Sequence, residues 1–531
     1  MPRRPAWSTT ALTFALAFAG AAAVALYIIR PIHVAAVDFD SAASVIYFER
    51  IVGGHRLEAL VGATPKPLLT VIFGVLHAIV PDWRPIIWAS IGAYATAIGL
   101  AAVLARRLAR IAAAAFVAVA LIGSTEWLLD VARGYGVAWA MLGWVVAGLA
   151  VTADKPRYGL VTIALFLATL ARLEGFVVIG IAIAGLFIWT VRARSGRISA
   201  PPRRAWLMVA ALLALPVMFL HDWLLTGDPT FWLQVSARFS KGAAAAVAAQ
   251  GPLTIARWLV VRFVDMGAFA VLAAVGLALL ISARRWVAAL GLLAATAGIG
   301  GFLVLLAARG TFVSTRYAIA IDVFVLFAAG LGFAALRIPS LTWPNRLNLK
   351  GRALELEGER WRTWPVVFVA IVCAAILSIS LDTGTGDVRQ IKAEQLAAKR
   401  SDMVVPIIRR ALAGVPGGGG YPGTSSALPP AGADQIVLLV PSPLRPRLAV
   451  DDRVSLARIS AIGSTAFGTP ESLLGVPGRI IVHDPRLEGS AAAAFTALES
   501  PDPVIAGVHL VPLLLDPVQR LWVYQVPLTT P

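Results

Sequence analysis

The feature that most constrains this chain is a succession of apolar runs. They lie near residues 8–30, 85–105, 110–128, 136–152, 158–172, 175–192, 205–221, 258–281, 286–308, 317–336 and 364–381. Each is read as long enough, when helical, to cross about 30 Å of hydrocarbon. A bilayer offers the backbone no water to bond, so such runs fold as helices. Only 14% of the residues are charged, against about 25% in an ordinary soluble domain. The expected class is an α-helical polytopic membrane protein with about eleven transmembrane helices.

The net charge of +17 does not point to a nucleic-acid partner, because Lys and Arg fall in short clusters between the runs. There they orient helices. "RRLAR" (106–110), "DKPRY" (154–158), "RARSGRISAPPRR" (192–204), "ARRW" (283–286) and "RLNLKGRALELEGERWR" (346–362) all share a side with the N-terminal "PRR" if the spans are right. The positive-inside rule makes that side cytoplasmic, which places the chain as a multi-pass protein of the inner (plasma) membrane. The first run is long enough to be a retained helix rather than a cleaved signal. "PKPLLTVIFGVLHAIVPDWRP" (65–85) holds only about fourteen apolar residues and is short for a span. Counting it would invert every later loop, so it is expected to lie on the outer membrane surface.

The pattern changes after about residue 382. A Gly/Pro-rich linker or loop (414–433) is followed by "QIVLLVPS", "GRIIVHDP", "VHLVPLLL" and "RLWVYQV", short β-branched runs bounded by turn residues. Two domains are expected. Residues 1–382 form a transmembrane module with surface helices in the first outer loop (31–84), and residues 383–531 form an extracytoplasmic α/β domain. The single cysteine, Cys373, excludes an intrachain disulfide, and the six His show no zinc-site spacing. No phosphate-binding Gly-rich loop supports ATP-driven export, and no Gly-x-Ser-x-Gly elbow supports a hydrolase.

The acids cluster in the outward segments. "VDFDSAASVIYFER" (37–50) carries Asp38, Asp40 and Glu49 just after the first run. At the water–lipid boundary a carboxylate stays ionised and suits a general base or a metal ligand, or else simply solvates a loop. In "GSTEWLLDVARGYGVAW" (123–139), Glu126 and Asp130 are spaced i, i+4 on one helical face. "ARLEGF" (171–176) sets Arg172 and Glu174 at the end of apolar runs, where charges are costly and mark either a site or a structural ion pair. Gly227, Asp228 and Pro229 in "LHDWLLTGDPTFW" (220–232) read as a turn first. "RGTFVSTRYAIAIDVF" (309–324) supplies Arg316 and Tyr317, with Asp322 about one turn deeper, able to neutralise a cation within the bundle.

Together these segments resemble the GT-C glycosyltransferases, which include the protein O-mannosyltransferases and the lipid A aminoarabinose transferases. The resemblance rests on an Asp-plus-Tyr surface helix (Asp40 to Tyr47), a glycine-bearing stretch, "KPLL" at Lys66 to Leu69, and the late Arg316–Tyr317 pair. Ser41 follows Asp40 where the family has a second acid, and only one proline follows Lys66, so either Asp38 or Asp40 is the counterpart. The fold implied is of GT-C type, and the activity is transfer of a sugar from a polyprenyl-phosphate donor to a glycan, lipid or protein acceptor, with inversion. Asp40 or Asp38 would be the base. Lys66, Arg84, Arg172, Arg316 and Tyr317 would hold the donor's phosphate or sugar, and Asp130 or Glu126 a second acidic position for the acceptor or a metal. No cofactor is required where cations meet the leaving phosphate, with Mg²⁺ or Mn²⁺ optional. The rival class is a lipid-linked-sugar flippase, which calls for matched repeats and charges deep in the bundle.

Overall fold

The computed structural model describes residues 7–31, 37–57, 66–195, 199–234, 250–283, 285–311, 313–334, 367–376, 385–413, 437–450, 459–462 and 467–527. The Gly/Pro-rich segment at 414–433 and the basic segment at 346–362 lie outside the described residues. The chain divides into two compact units. Unit 1 comprises Met1–Arg30, Ile87–Met218 and Phe239–Gln390; unit 2 comprises Pro31–Ile86, Phe219–Arg238 and Ile391–Pro531.

The helices are α1 (Trp7–Ile29), α2 (Phe39–Gly53), α3 (Pro67–Ile79), α4 (Arg84–Leu108), α5 (Ile111–Ile122), α6 (Thr125–Ala132), α7 (Val137–Val151), α8 (Tyr158–Ala171) and α9 (Gly175–Arg194). A 3₁₀ segment (Arg203–Leu213) leads into α10 (Ala214–Thr226), followed by α11 (Pro252–Asp265), α12 (Ala268–Ser282), α13 (Trp286–Ala308) and α14 (Ile319–Phe333). Then come α15 (Val367–Ile376) and α16 (Thr385–Ala413). The chain is a multi-pass membrane protein. Among the described residues six helices are long and apolar enough to cross a membrane, or up to eight if each bent pair is one span.

The expected count of about eleven is not confirmed among the described residues, for identifiable reasons. The run at 110–128 breaks at Gly123 into α5 and α6, bent by 57°, and the run at 258–281 breaks at Met266–Gly267 into α11 and α12, bent by 90°. Helices α7 and α8 have 15 and 14 residues, about 22 Å and 21 Å at 1.5 Å per residue, which is short of the hydrocarbon thickness. Of the run at 364–381 only α15 is described. Helix α3, with 13 residues, is as short as its sequence suggested.

Within the core of unit 1, two glycines mark the closest helix contact. A Cβ on Gly332 would lie 1.8 Å from the Leu272 carbonyl oxygen, and one on Gly276 would lie 2.2 Å from that of Ala328. Helices α12 and α14 therefore meet backbone to backbone, the packing that lipid-embedded helices use in place of hydrophobic burial.

Unit 2 ends in a mixed sheet, order β2-β1-β3-β7-β6, with β1 (Leu438–Val440), β2 (Ile459–Ala461), β3 (Ile480–His483), β6 (Val511–Asp516) and β7 (Leu521–Gln525). Pairs β1–β2 and β1–β3 are parallel, whereas β3–β7 and β6–β7 are antiparallel, with an irregularity between Pro512 and Leu514. A two-stranded hairpin, β4 (Val504–Ile505) with β5 (Val508–His509), precedes β6. Leu439, Ile481, Trp522, Tyr524, Phe495 and Leu498 close over one sheet face, so the four apolar runs expected to be strands do form a small α/β domain. The Tyr524 hydroxyl, buried in that core, donates to the carbonyls of Leu498 and Ser500 at 3.0 Å and 2.6 Å.

Candidate active site

In unit 2 the first-loop acids open α2. Asp38 is its N-cap, with extended backbone (φ −71°, ψ 155°), and its Oδ2 accepts the Asp40 N–H at 3.1 Å. That is the ordinary capping use of an aspartate. Asp40 sits in the first turn, where the helix dipole favours a carboxylate. The helix stops at Gly54, whose left-handed backbone (φ 66°) suits glycine. Glu49 is exposed.

Two turns beyond Asp40, Tyr47 is buried, and its ring meets the His221 ring edge-on with centroids 5.6 Å apart. Burial pushes its phenol well above the ordinary tyrosine range, and the carboxylates of Asp40 and then Asp222 add to the effect. His221 is gripped on both nitrogens: Nε2 lies 3.1 Å from Thr70 Oγ1, and Nδ1 lies 3.1 Å from Asp222 Oδ1. The other Asp222 oxygen accepts the Trp232 N–H at 2.8 Å. Thr70, His221 and Asp222 are all buried. Helix α3 presses on α2 at Gly74, where a Cβ would fall 2.0 Å from Phe48 Cγ.

Lys66 is the N-cap of α3, its carbonyl accepting the Thr70 N–H at 2.9 Å, with Pro67 in the first turn. Arg84 opens α4 and turns back on its own neighbour, its Nε donating to Asp82 Oδ2 at 2.7 Å. The Gly-Asp-Pro segment is a turn: Asp228 Oδ1 accepts both the N–H and the hydroxyl of Thr230 at 2.8 Å. Those bonds hold its carboxyl below the usual range. Gly227 (φ 81°) lies against Arg56, whose Cζ would be 2.8 Å from an added Cβ.

In unit 1 the remaining expected residues form two clusters. Arg172 grips Glu174, with Nη2 2.6 Å from Oε1 and Nε 3.2 Å from each carboxylate oxygen. Its Nη1 is 3.8 Å from Asp130 Oδ2, and its guanidinium stands 5.4 Å from the Tyr317 ring centroid. Arg316 lies over the Tyr135 ring at 4.5 Å and beside Tyr317 at 5.9 Å. In the second cluster Arg262 bonds both Glu126 and Asp322, with Nε 3.0 Å from Asp322 Oδ1. The i, i+4 acids thus have different partners: Glu126 faces Arg262, while Asp130 faces Arg172. Asp322 does meet a cation in the bundle.

Sequence reasoning passed over Arg262, Tyr135, Thr70 and the His221–Asp222 pair. A signal was available for two of them. His and Asp side by side at the end of an apolar run, and an Arg inside "RWLVVRFVD", are ionisable groups in a costly place. Among the described residues no three His, Cys, Asp or Glu side chains gather to hold a metal ion, so the optional Mg²⁺ or Mn²⁺ has no ligand set there.

No family model matches the chain, and neither does any curated protein. Solved structures do. The chain is similar to ArnT from Cupriavidus metallidurans bound to undecaprenyl phosphate, at 14% identity and TM-score 0.54, over 99% of this chain and 100% of that one. It is also similar to the archaeal oligosaccharyltransferase AglB from Archaeoglobus fulgidus in complex with an inhibitory peptide and a dolichol-phosphate, at 12% identity and TM-score 0.52, over 90% of this chain and 70% of that one. These likenesses show the fold, a bundle of apolar helices with a small C-terminal sheet domain, which is the architecture expected of a GT-C-type chain.

Proposed function

We propose that this chain is a membrane glycosyltransferase of the GT-C type. It moves a hexosyl or pentosyl group, with inversion, from a polyprenyl-phosphate donor to a cell-envelope glycan, lipid or protein on the outer face of the inner membrane. The observation that carries the reading is the end-to-end likeness to ArnT bound to undecaprenyl phosphate. AglB, in complex with an inhibitory peptide and a dolichol-phosphate, supports the same donor chemistry.

In the reaction the acceptor hydroxyl oxygen attacks the anomeric carbon, and the carbon–oxygen bond to phosphate breaks. The lipid phosphate leaves with the electron pair, and the proton passes to a carboxylate. Asp40 is the better base, because the Asp38 carboxylate caps α2 by accepting the Asp40 N–H. A base of this kind needs only to reach the hydroxyl and to be ionised at the working pH.

The departing phosphate calls for preorganised cations. Lys66, at the start of α3, suits the role, and Arg316 with Tyr317 is the second candidate pair for phosphate or sugar. Arg172 and Arg84 are weaker candidates, since each grips a neighbouring carboxylate. Asp130 is kept as the acceptor-side acid ahead of Glu126, which bonds Arg262. The N-terminus is cytoplasmic and the sheet domain extracytoplasmic, where it binds the acceptor or a partner.

The test is purified protein with radiolabelled polyprenyl-phosphate sugars. Transfer by the wild type that is lost in Asp40→Asn is expected. Movement of labelled lipid across a vesicle bilayer without transfer overturns the reading in favour of a flippase. A cytoplasmic signal from topology reporters fused at Gly251 or Ser401 overturns the orientation.

A further inference from the structure

We infer that Thr70, His221 and Asp222 are positioning residues for the transfer step, tying the helix that carries Asp40 to the helix that Lys66 opens. The inference rests on the function proposed above and goes beyond it by assigning a role to three residues outside the base and the phosphate ligands.

The bonds run through three separate stretches of unit 2. Asp222 has one oxygen on His221 Nδ1 and the other on the Trp232 N–H beyond the Gly-Asp-Pro turn. With Nδ1–H donating to that carboxylate, Nε2 presents a lone pair, and the Thr70 hydroxyl donates to it at 3.1 Å. The carboxylate on one nitrogen thereby fixes the tautomer and orientation of the ring, as second-shell carboxylates do for working histidines. The free edge of the imidazole receives Tyr47 of α2 at 5.6 Å.

Each end of the network is close in sequence to a proposed functional residue. Thr70 is one helical turn after Lys66, and Tyr47 is two turns after Asp40. The four side chains are buried, and α2 and α3 are already in close contact at Gly74 and Phe48. A polar network fully satisfied in a buried place specifies one arrangement of the elements it joins. Here it sets the register of α2 against α3. Small displacements of a base or a charge clamp lower turnover strongly, so the arrangement acts on kcat more than on donor binding.

The test compares Thr70→Val, which keeps the shape and removes the hydroxyl, with Thr70→Ser, which keeps the hydroxyl. His221→Gln is measured alongside, and all are assayed as full-length protein that elutes as folded material. The expected result is a fall in kcat of about tenfold or more for Thr70→Val and His221→Gln. Donor KM stays within about twofold of wild type, and Thr70→Ser restores kcat. Amide hydrogen exchange in α2 and the first turns of α3 is expected to quicken in Thr70→Val and not in Thr70→Ser.

If the wild type transfers sugar and Thr70→Val and His221→Gln keep its kcat per folded molecule, the inference is overturned. If the wild type transfers no sugar from any polyprenyl-phosphate donor, the functional proposal falls, and exchange alone decides the network. Quickening confined to α2 and α3 then upholds it as the element that fixes them, and unchanged exchange overturns it.

Discussion

Arg172 lies 2.6 Å from Glu174 yet stops 3.8 Å from Asp130, whose Oδ2 is buried with no hydrogen-bond partner among the described residues. The two carboxylates therefore depend on the same guanidinium to different degrees. Removing one partner of a buried, bonded pair leaves an uncompensated charge and costs about 3–5 kcal/mol. Arg172→Ala is expected to lower stability by about that much. Asp130→Asn, nearly isosteric, is expected to cost much less. Thermal unfolding in detergent, followed by tryptophan fluorescence, checks the order; equal losses would contradict it.

Gly74 is the contact point of the first-loop helices. An added Cβ would stand 2.0 Å from Phe48 Cγ and 2.1 Å from Phe48 Cβ, and neither of these atoms is the far end of a flexible chain. Gly74→Ala is expected to destabilise by about 1–3 kcal/mol through overpacking. The double variant Gly74→Ala/Phe48→Ala should be more stable than the sum of the two single changes allows. Unfolding midpoints of the four proteins complete the cycle.

Much of this fold was legible because the bilayer enforces a strong pattern. Apolar length gave α1, α4, α9 and α13 almost residue by residue, and the four β-branched runs gave four of the strands around the Leu439–Trp522 core. What length could not reveal was bending. A hydropathy window reads through Gly123 and Met266–Gly267 without registering the 57° and 90° breaks, which are backbone events at single positions. Strand β2 was missed because only three residues pair, in a stretch with no alternation of its own. In the candidate site the acids and cations were visible singly, since each is an ionisable group in an apolar neighbourhood. Their partners were not. Arg262 meets Glu126 from 136 positions away and His221 meets Thr70 from 151 away, distances over which one sequence carries no pairing signal.

The raised phenol of Tyr47 has a consequence at alkaline pH. In the folded chain it keeps its proton, while in the unfolded chain it begins to release it near pH 10.0. The native state then binds more protons than the unfolded one, so stability falls as pH rises past that point and is unaffected below it. The loss approaches about 1.4 kcal/mol per pH unit for one such group. Tyr47→Phe is expected to remove one proton's share of that slope. Unfolding measured between about pH 9 and 12 in both proteins tests it.

Arg400 on α16 is buried and clamps the sheet domain, donating to Asp484 Oδ2 at 2.8 Å and to Gln519 Oε1 at 2.8 Å. Burial raises the Asp484 carboxyl above the usual range even with Arg400 beside it. Arg400→Ala strands that carboxylate, and a loss of about 3–5 kcal/mol is expected at neutral pH. Because the folded-state value lies above the unfolded one, the penalty applies at high pH and fades as pH falls towards the ordinary aspartate range. The variant should therefore regain part of its deficit on acidification. Denaturation at two pH values reads this directly, and a deficit that grows with acid would refute it.

Asp38 and Asp40 are two residues apart, and their different bonds separate a cap from a base. Asp38 Oδ2 accepts the Asp40 N–H, a role that asparagine fills equally well and alanine does not. Asp38→Asn is expected to leave both stability and transfer near wild type, while Asp38→Ala costs about 1 kcal/mol through the lost cap. Asp40→Asn keeps the backbone bond, because only its N–H is used there, and removes the proposed proton acceptor. Its transfer rate per folded molecule should drop by about 10²–10⁴-fold, the range for loss of a general base, while the lost helix-dipole interaction costs about 0.3–1 kcal/mol of stability. Rates and midpoints measured on the three variants together assign the roles. Were Asp38→Asn as inactive as Asp40→Asn, the base would be the residue that caps the helix, and α2 would have to shift to release it.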